Sequence, residues 1–107
     1  MVTVTHTKDM LGIIVNSNRY FEFVTRLAEA AAEHDKAVRI HLLGDGCEFV
    51  TTEACTRLSR QTRITMCAKS AGRLTQGIEK EANERIALVP PQELTRLLQQ
   101  CDRYVVF

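Results

Sequence analysis

The sequence predicts a three-layer α/β fold in which five strands alternate with helices. Short apolar runs of strand length recur along the 107 residues, and each is followed by a segment with apolar residues every three or four positions. Such alternation is typical of right-handed crossovers, so we expect a mainly parallel sheet with helices on both faces, flavodoxin-like in general architecture. The strands are predicted at residues 10–16, 37–43, 63–67, 85–89 and 103–107.

Length and composition indicate a single domain over residues 1–107. Hydrophobic residues make up 45% and charged residues 25%, the ordinary balance of a compact folded chain. The net charge of +1 provides no strong field for nucleic acid or anionic lipid. Because we find neither a membrane-length apolar run nor a signal-peptide core, we expect a cytoplasmic protein without nucleic-acid or membrane partners.

The first half of the chain carries two predicted strands and the first helices. The run MLGIIV at residues 10–15 is continuously apolar, as in strands that are buried on both faces. Residues 16–18 offer turn and helix-capping side chains, and a helix then extends to about His34. The second strand, AVRIHLL, closes on the glycine loop at residues 44–46, and a helix over residues 47–60 is predicted from a shared apolar face.

The second half repeats the alternation. The short strand RITMC ends at Cys67, and the helical segment after it is predicted to stop near Gly77. Pro90 and Pro91 close the fourth strand, and Pro91 suits the first turn of the next helix. That helix has a predicted buried stripe formed by Leu94, Leu97, Leu98 and Cys101.

The four cysteines fit neither CxxC pairs nor the Cys/His spacings of a zinc site. We therefore expect free thiols in a reducing compartment, and neither a metal nor an organic cofactor. Cys55 and Cys101 are expected to pack as small apolar side chains. Cys47 directly follows the glycine loop and is a candidate second thiol or gate.

Cys67 is the candidate catalytic residue. It ends a strand of the predicted parallel sheet, where the start of the next helix can stabilise a thiolate, and Lys69 and Arg73 can strengthen that effect. Thiol exchange also requires access, so we expect Cys67 to be at least partly exposed. The alternative is that Cys67 is one more buried apolar thiol.

The sequence gives weaker support for two other kinds of site. The loops at residues 16–18 and 44–46 could hold phosphate, but neither GxGxxG nor GxxxxGKS/T is present. A Cys/His site is also disfavoured, because no histidine stands beside Cys67 in sequence. We expect His6, His34 and His41 to have structural roles.

Three segments resemble the DsrE-like sulfur-relay family, which includes the DsrE, DsrF and DsrH and the TusB, TusC and TusD subunits. The segment HLLGDGCEFV is similar to the family's apolar strand followed by an acidic residue and glycine. TMCAKSAGRL is similar to the strand that ends in the active cysteine and continues into a small-residue helix, and CDRYVVF to the closing strand. The residues that carry the resemblance are Asp45, Gly46, Cys67, Ala68, Ser70, Ala71, Asp102, Arg103, Val105 and Phe107.

The resemblance implies a sulfur carrier or sulfurtransferase subunit that takes up sulfane sulfur as a persulfide on Cys67 and relays it to an acceptor thiol. It also implies donor and acceptor proteins, such as rhodanese-like or TusA-like carriers, and assembly into homo-oligomers (trimers or hexamers) or hetero-oligomers with paralogues. Family members without the active cysteine are structural subunits, so a non-catalytic role is the alternative.

Overall fold

The five predicted strands form one parallel sheet. A computed structural model of the chain describes residues 10–72 and 85–107. Within them the strand order is β4-β3-β2-β1-β5, and every neighbouring pair is parallel. The predicted α/β class and five strands are therefore confirmed. The strands are β1 (Met10–Val15), β2 (Ala37–Leu42), β3 (Arg63–Cys67), β4 (Ala87–Val89) and β5 (Arg103–Val106).

Helices follow the strands, as the sequence predicts, although one of them is divided. The helices of the described ranges are α1 (Phe21–Glu33), a 3-10 helix (Gly44–Thr51), α2 (Glu53–Leu58), α3 (Ala68–Ala71) and α4 (Glu93–Gln100). The predicted end of the third helix near Gly77 lies outside the described residues.

The predicted helix over residues 47–60 is wrong as a single element. A 3-10 helix is followed by α2, and the break lies at Thr52, whose backbone is extended at φ −92° and ψ 149°. The Thr52 hydroxyl accepts a hydrogen bond from the backbone N–H of Cys55 at 3.1 Å. Because this bond satisfies a free donor at the start of α2, it stabilises a new helix start in place of a continuous helix.

Two further details differ from the sequence-based expectation. Helix α1 begins after Tyr20, which makes no side-chain capping bond, while the Asn18 amide donates to Glu48 instead. The predicted buried stripe of α4 is reduced to Leu97, since Leu94, Leu98 and Cys101 are only half-buried. Helix α4 therefore buries less of its apolar face than the spacing of its apolar residues predicts.

The two faces of the sheet have different chemistry. On β2, Val38, Ile40 and Leu42 enter the main apolar cluster, while the alternate residues Arg39 and His41 face the other way. The main cluster includes Ile13, Val15, Val24, Ala28, Val38, Ile40, Leu42, Phe49, Leu58, Ile64 and Met66.

Helix α4 approaches the second face. Arg39 donates to the side-chain carbonyl of Gln100, at the end of α4, at 2.6 Å. A β-carbon added to Gly12 would lie 2.7 Å from the sulfur of Cys101, so the segment after α4 packs closely on β1 and a side chain at Gly12 would displace it. The chain returns from β4 to β5 across the sheet, and a crossover of the usual right-handed form agrees with α4 on this face.

Candidate functional site

Three loops meet at the carboxyl edge of the sheet. Because all strands are parallel, the segments after β1, β2 and β3 leave the same edge, and these three strands are neighbours. The predicted loops at residues 16–18 and 44–47 and the start of α3 are therefore brought together. Open parallel sheets generally carry their sites at this edge.

Cys67 joins β3 to α3, and its sulfur accepts several hydrogen bonds. The donors are the backbone N–H of Ser70, the Ser70 hydroxyl and the backbone N–H of Lys69. Burial raises the pKa of the Cys67 thiol, but these bonds and the positive charge of Lys69 together lower the pKa below its ordinary value. Hydrogen bonds to a thiolate favour its charged form, so the site favours the nucleophilic state of Cys67.

The expectation that Cys67 is partly exposed is wrong for the isolated chain. Only 6% of its surface is exposed. Strands β2 and β4 flank β3, and the 3-10 helix contacts both β3 and α3, so neighbours from several elements cover the thiol.

Cys47 is the fourth residue of the 3-10 helix and is fully buried. Burial, followed by the nearby charge of Cys67, raises the pKa of the Cys47 thiol to about 11. The preceding Gly46 fixes this helix against the sheet, because a β-carbon at this position would lie 1.9 Å from the carbonyl oxygen of Val15. Cys47 and Cys67 are both free thiols.

The other two cysteines lie elsewhere. Cys55 is fully buried in the main apolar cluster, and burial raises the pKa of its thiol to about 12. Cys101 is half-buried at the end of α4. Burial raises the pKa of the Cys101 thiol, the charge of Arg39 lowers it and that of Asp102 raises it, with a net increase. Neither residue has an environment that favours a thiolate.

Ser70 is the functional residue that the sequence reasoning missed. The sequence presents it only as one of the small residues after Cys67, yet it donates from both its backbone N–H and its hydroxyl. A serine three positions after a cysteine at a helix start is a signal that could have identified it, because N–H groups at this position are unpaired within the helix. Arg73 and His6, which the sequence also raised, lie outside the described residues.

The two described histidines do not interact with Cys67. His41 is buried on the second face, where its Nδ1 lies 2.8 Å from the Thr65 hydroxyl. Burial lowers the pKa of His41, the charge of Arg39 lowers it further, and that of Glu93 raises it. His34 borders a cavity of about 430 Å³ that Met10, Lys36 and Arg103 also line, at the opposite edge of the sheet from Cys67.

The part of the chain that the structure describes holds neither a metal-binding cluster nor a membrane-spanning helix. Within residues 10–72 and 85–107, no three His, Cys, Asp or Glu side chains are grouped so that they could hold a metal ion. No helix in that part of the chain has the length and apolar character needed to cross a bilayer.

The fold and site together define a parallel α/β domain with a hydrogen-bonded cysteine at the carboxyl edge of its third strand. No family model matches the chain, and no curated protein matches it. The resemblance to the DsrE-like family therefore rests on the sequence segments quoted above.

Proposed function

We propose that this protein is a sulfur carrier or sulfurtransferase subunit that holds sulfane sulfur as a persulfide on Cys67 and passes it to an acceptor protein thiol. One observation carries the proposal. The sulfur of Cys67 lies at the carboxyl end of β3 and accepts hydrogen bonds from Lys69 and Ser70, which favour its thiolate. At the other three cysteines no hydrogen-bond donor lowers the pKa of the thiol.

Loading is a displacement at sulfur. The Cys67 thiolate attacks the outer sulfur of a donor persulfide, a new S–S bond forms, and the donor's own S–S bond breaks. The donor leaves as a thiolate and takes up a proton from solvent, so no external oxidant or reductant is required. Relay is the same reaction with the acceptor thiolate as nucleophile. The donors from Lys69 and Ser70 stabilise Cys67 as the attacking group in loading and as the leaving group in relay.

The coverage of Cys67 determines what kind of partner is suitable. Because the thiol is 6% exposed, exchange requires a partner that brings its sulfur to the carboxyl edge and displaces part of that cover. Donor and acceptor proteins of the rhodanese-like or TusA-like kind, with a reactive cysteine of their own, meet this requirement. A reducing cytoplasm suits four free thiols and is the location that we propose.

A structural subunit is the second candidate, because one observation favours it. Tyr104 and Val106 lie on the edge strand β5 with 55% and 58% of their surfaces exposed, and exposed apolar edges are typical of assembly surfaces. We propose that the chain forms homo-oligomers, such as trimers or hexamers, or hetero-oligomers with related chains. Light scattering across micromolar concentrations tests assembly, and a strictly monomeric mass contradicts it.

Intact mass after incubation with thiosulfate and a rhodanese tests the carrier function. We expect a gain of about 32 Da, one sulfur atom, that dithiothreitol reverses. Cys67→Ser removes the ionisable thiol with little change in shape, so we expect that variant to gain no sulfur. The matched control is Cys55→Ser, which alters another buried cysteine and is expected to load like the wild type.

Two results would count against the carrier. Equal loading of the Cys67→Ser and wild-type proteins would show that another cysteine holds the sulfur. No loading of the wild type, in a sample that is folded by circular dichroism, would favour the structural subunit.

A further inference from the structure

Two thiols, and not one, lie at the carboxyl edge of the sheet. Cys67 is the last residue of β3 and directly precedes α3, and the 3-10 helix that carries Cys47 contacts both of these elements. The charge of Cys67 acts on Cys47, as expected for sulfur atoms in one neighbourhood. Both residues are reduced in the structure.

Cys47 is held in place and closed to outside reagents. Gly46 packs so closely against the Val15 carbonyl that a side chain would not fit between the 3-10 helix and the sheet. Cys47 itself has no exposed surface. A protein thiol that cannot meet a partner from outside can still react with a sulfur atom within its own chain.

We propose that Cys47 is a resolving thiol, which attacks the persulfide on Cys67 from within the chain and discharges its sulfur as hydrogen sulfide. This inference rests on the proposed function, since it requires a persulfide on Cys67. By this reaction the domain itself releases sulfur that no acceptor protein has taken up.

The reaction balances without another reagent. The Cys47 thiolate attacks the inner sulfur, which belongs to Cys67, so the Cys47–Cys67 S–S bond forms and the bond to the outer sulfur breaks. The outer sulfur leaves as hydrosulfide and is reduced, while the two cysteine sulfurs are oxidised to a disulfide. The proton lost by Cys47 returns to the hydrosulfide as hydrogen sulfide. A dithiol reductant then restores both thiols.

The burial of Cys47 makes this discharge of hydrogen sulfide slow, so that transfer of the sulfur to an acceptor protein can occur first. Its thiol pKa of about 11 keeps it protonated at neutral pH. Between pH 7 and 9 its thiolate fraction, and with it the discharge rate, should rise about tenfold for each pH unit. An acceptor with an ordinary thiol therefore competes effectively at neutral pH.

The test follows persulfide-loaded protein after the donor has been removed. We expect hydrogen sulfide release at a rate independent of protein concentration, and a product about 2 Da lighter than the reduced chain. Peptide mapping should locate the new bond between Cys47 and Cys67. Such a bond requires the two Cα atoms to come within about 7 Å, so the mapping also tests the geometry.

Paired variants assign the role. Cys47→Ala should load and then retain its sulfur, while Cys55→Ala, which removes a sulfur atom from an equally buried position, should discharge like the wild type. If the wild type loads but forms no Cys47–Cys67 bond, the inference is overturned and the carrier function stands. If the wild type never gains sulfur, the carrier function fails and the inference fails with it. The wild-type mapping decides even if Cys47→Ala does not fold.

Discussion

Cys47 and Cys67 lie at the same edge of the sheet, and both are covered by neighbouring residues, but their environments shift the thiol pKa in opposite directions. At Cys47 burial meets no opposing hydrogen bond, and the pKa rises to about 11. At Cys67 burial also raises the pKa, but the bonds from Ser70 and Lys69 together with the positive charge of Lys69 outweigh it, and the pKa falls. Hydrogen-bond donors and a nearby positive charge, more than exposure, therefore determine which of these two buried thiols favours its thiolate.

Gly46→Ala is expected to have the largest effect, because it displaces the segment that carries Cys47. The new β-carbon would lie 1.9 Å from the Val15 carbonyl oxygen, so the 3-10 helix that carries Cys47 must shift. We expect a loss of about 3 kcal/mol or more of stability, since backbone atoms cannot yield as a flexible side chain does. Chemical denaturation measures the loss, and alkylation of Cys47 in the native state should increase.

Gly72→Ala is the control for close packing, because a β-carbon there meets no atom within 4 Å and only the backbone, at φ 49° and ψ −124°, is unfavourable for a side chain. Its cost should be about 1–3 kcal/mol, from backbone strain alone. Equal alkylation of Cys47 in the two alanine variants would contradict the close packing of Gly46.

His41 shows the same effect of burial on a base, because too little nearby negative charge offsets the cost of burying its charged form. Burial and the charge of Arg39 lower the pKa of His41, while Glu93 partly opposes them. The unfolded chain therefore takes up a proton first as the pH falls below about 6.5. Stability should then fall by at most about 1.4 kcal/mol per pH unit, until the pH reaches the folded-state pKa.

Denaturation of the wild type and of His41→Gln between pH 7 and 5 measures this term. The variant should show a shallower decline, because the glutamine amide does not titrate in this range. Parallel pH profiles for the two proteins would remove His41 as the cause.

Ser70→Ala tests one of the hydrogen bonds to the Cys67 sulfur. The variant loses the hydroxyl donor but keeps the backbone N–H, so the pKa of Cys67 should rise only partly towards its ordinary value. Alkylation of Cys67 at pH 7 should slow by about three- to tenfold. Ser70→Thr, which restores a hydroxyl, should recover most of the rate.

Ser59→Ala is the control for Ser70→Ala, because the Ser59 hydroxyl donates to the Thr56 carbonyl oxygen, in a bond that does not involve Cys67. An unchanged alkylation rate is expected for it. If Ser70→Ala reacts as fast as the wild type, the hydroxyl bond does not stabilise the thiolate.

The sequence predicts the sheet well because each strand is a short apolar run between turn residues, as in MLGIIV and AVRIHLL. Parallel strands then bring residues 16–18, 44–47 and Cys67 to one edge by topology alone. The coverage of Cys67 was not predictable, since it depends on how the 3-10 helix packs against α3, far away in sequence. The helix break at Thr52 is not predicted by the apolar spacing of residues 47–60, because it comes from a local capping bond that competes with the helix.

Site-resolved alkylation of Cys67 and Cys47 across pH, in one native sample, tests the central claim most directly. Each peptide's labelling midpoint is compared with its midpoint in denaturant, which serves as the internal reference for an unperturbed thiol. We predict a native midpoint for Cys67 below its reference, and little labelling of Cys47 below pH 9, because its thiol is both buried and protonated there. A Cys67 midpoint at or above its reference would show that its surroundings do not favour the thiolate, and labelling of the two cysteines at the same pH would show that they do not differ.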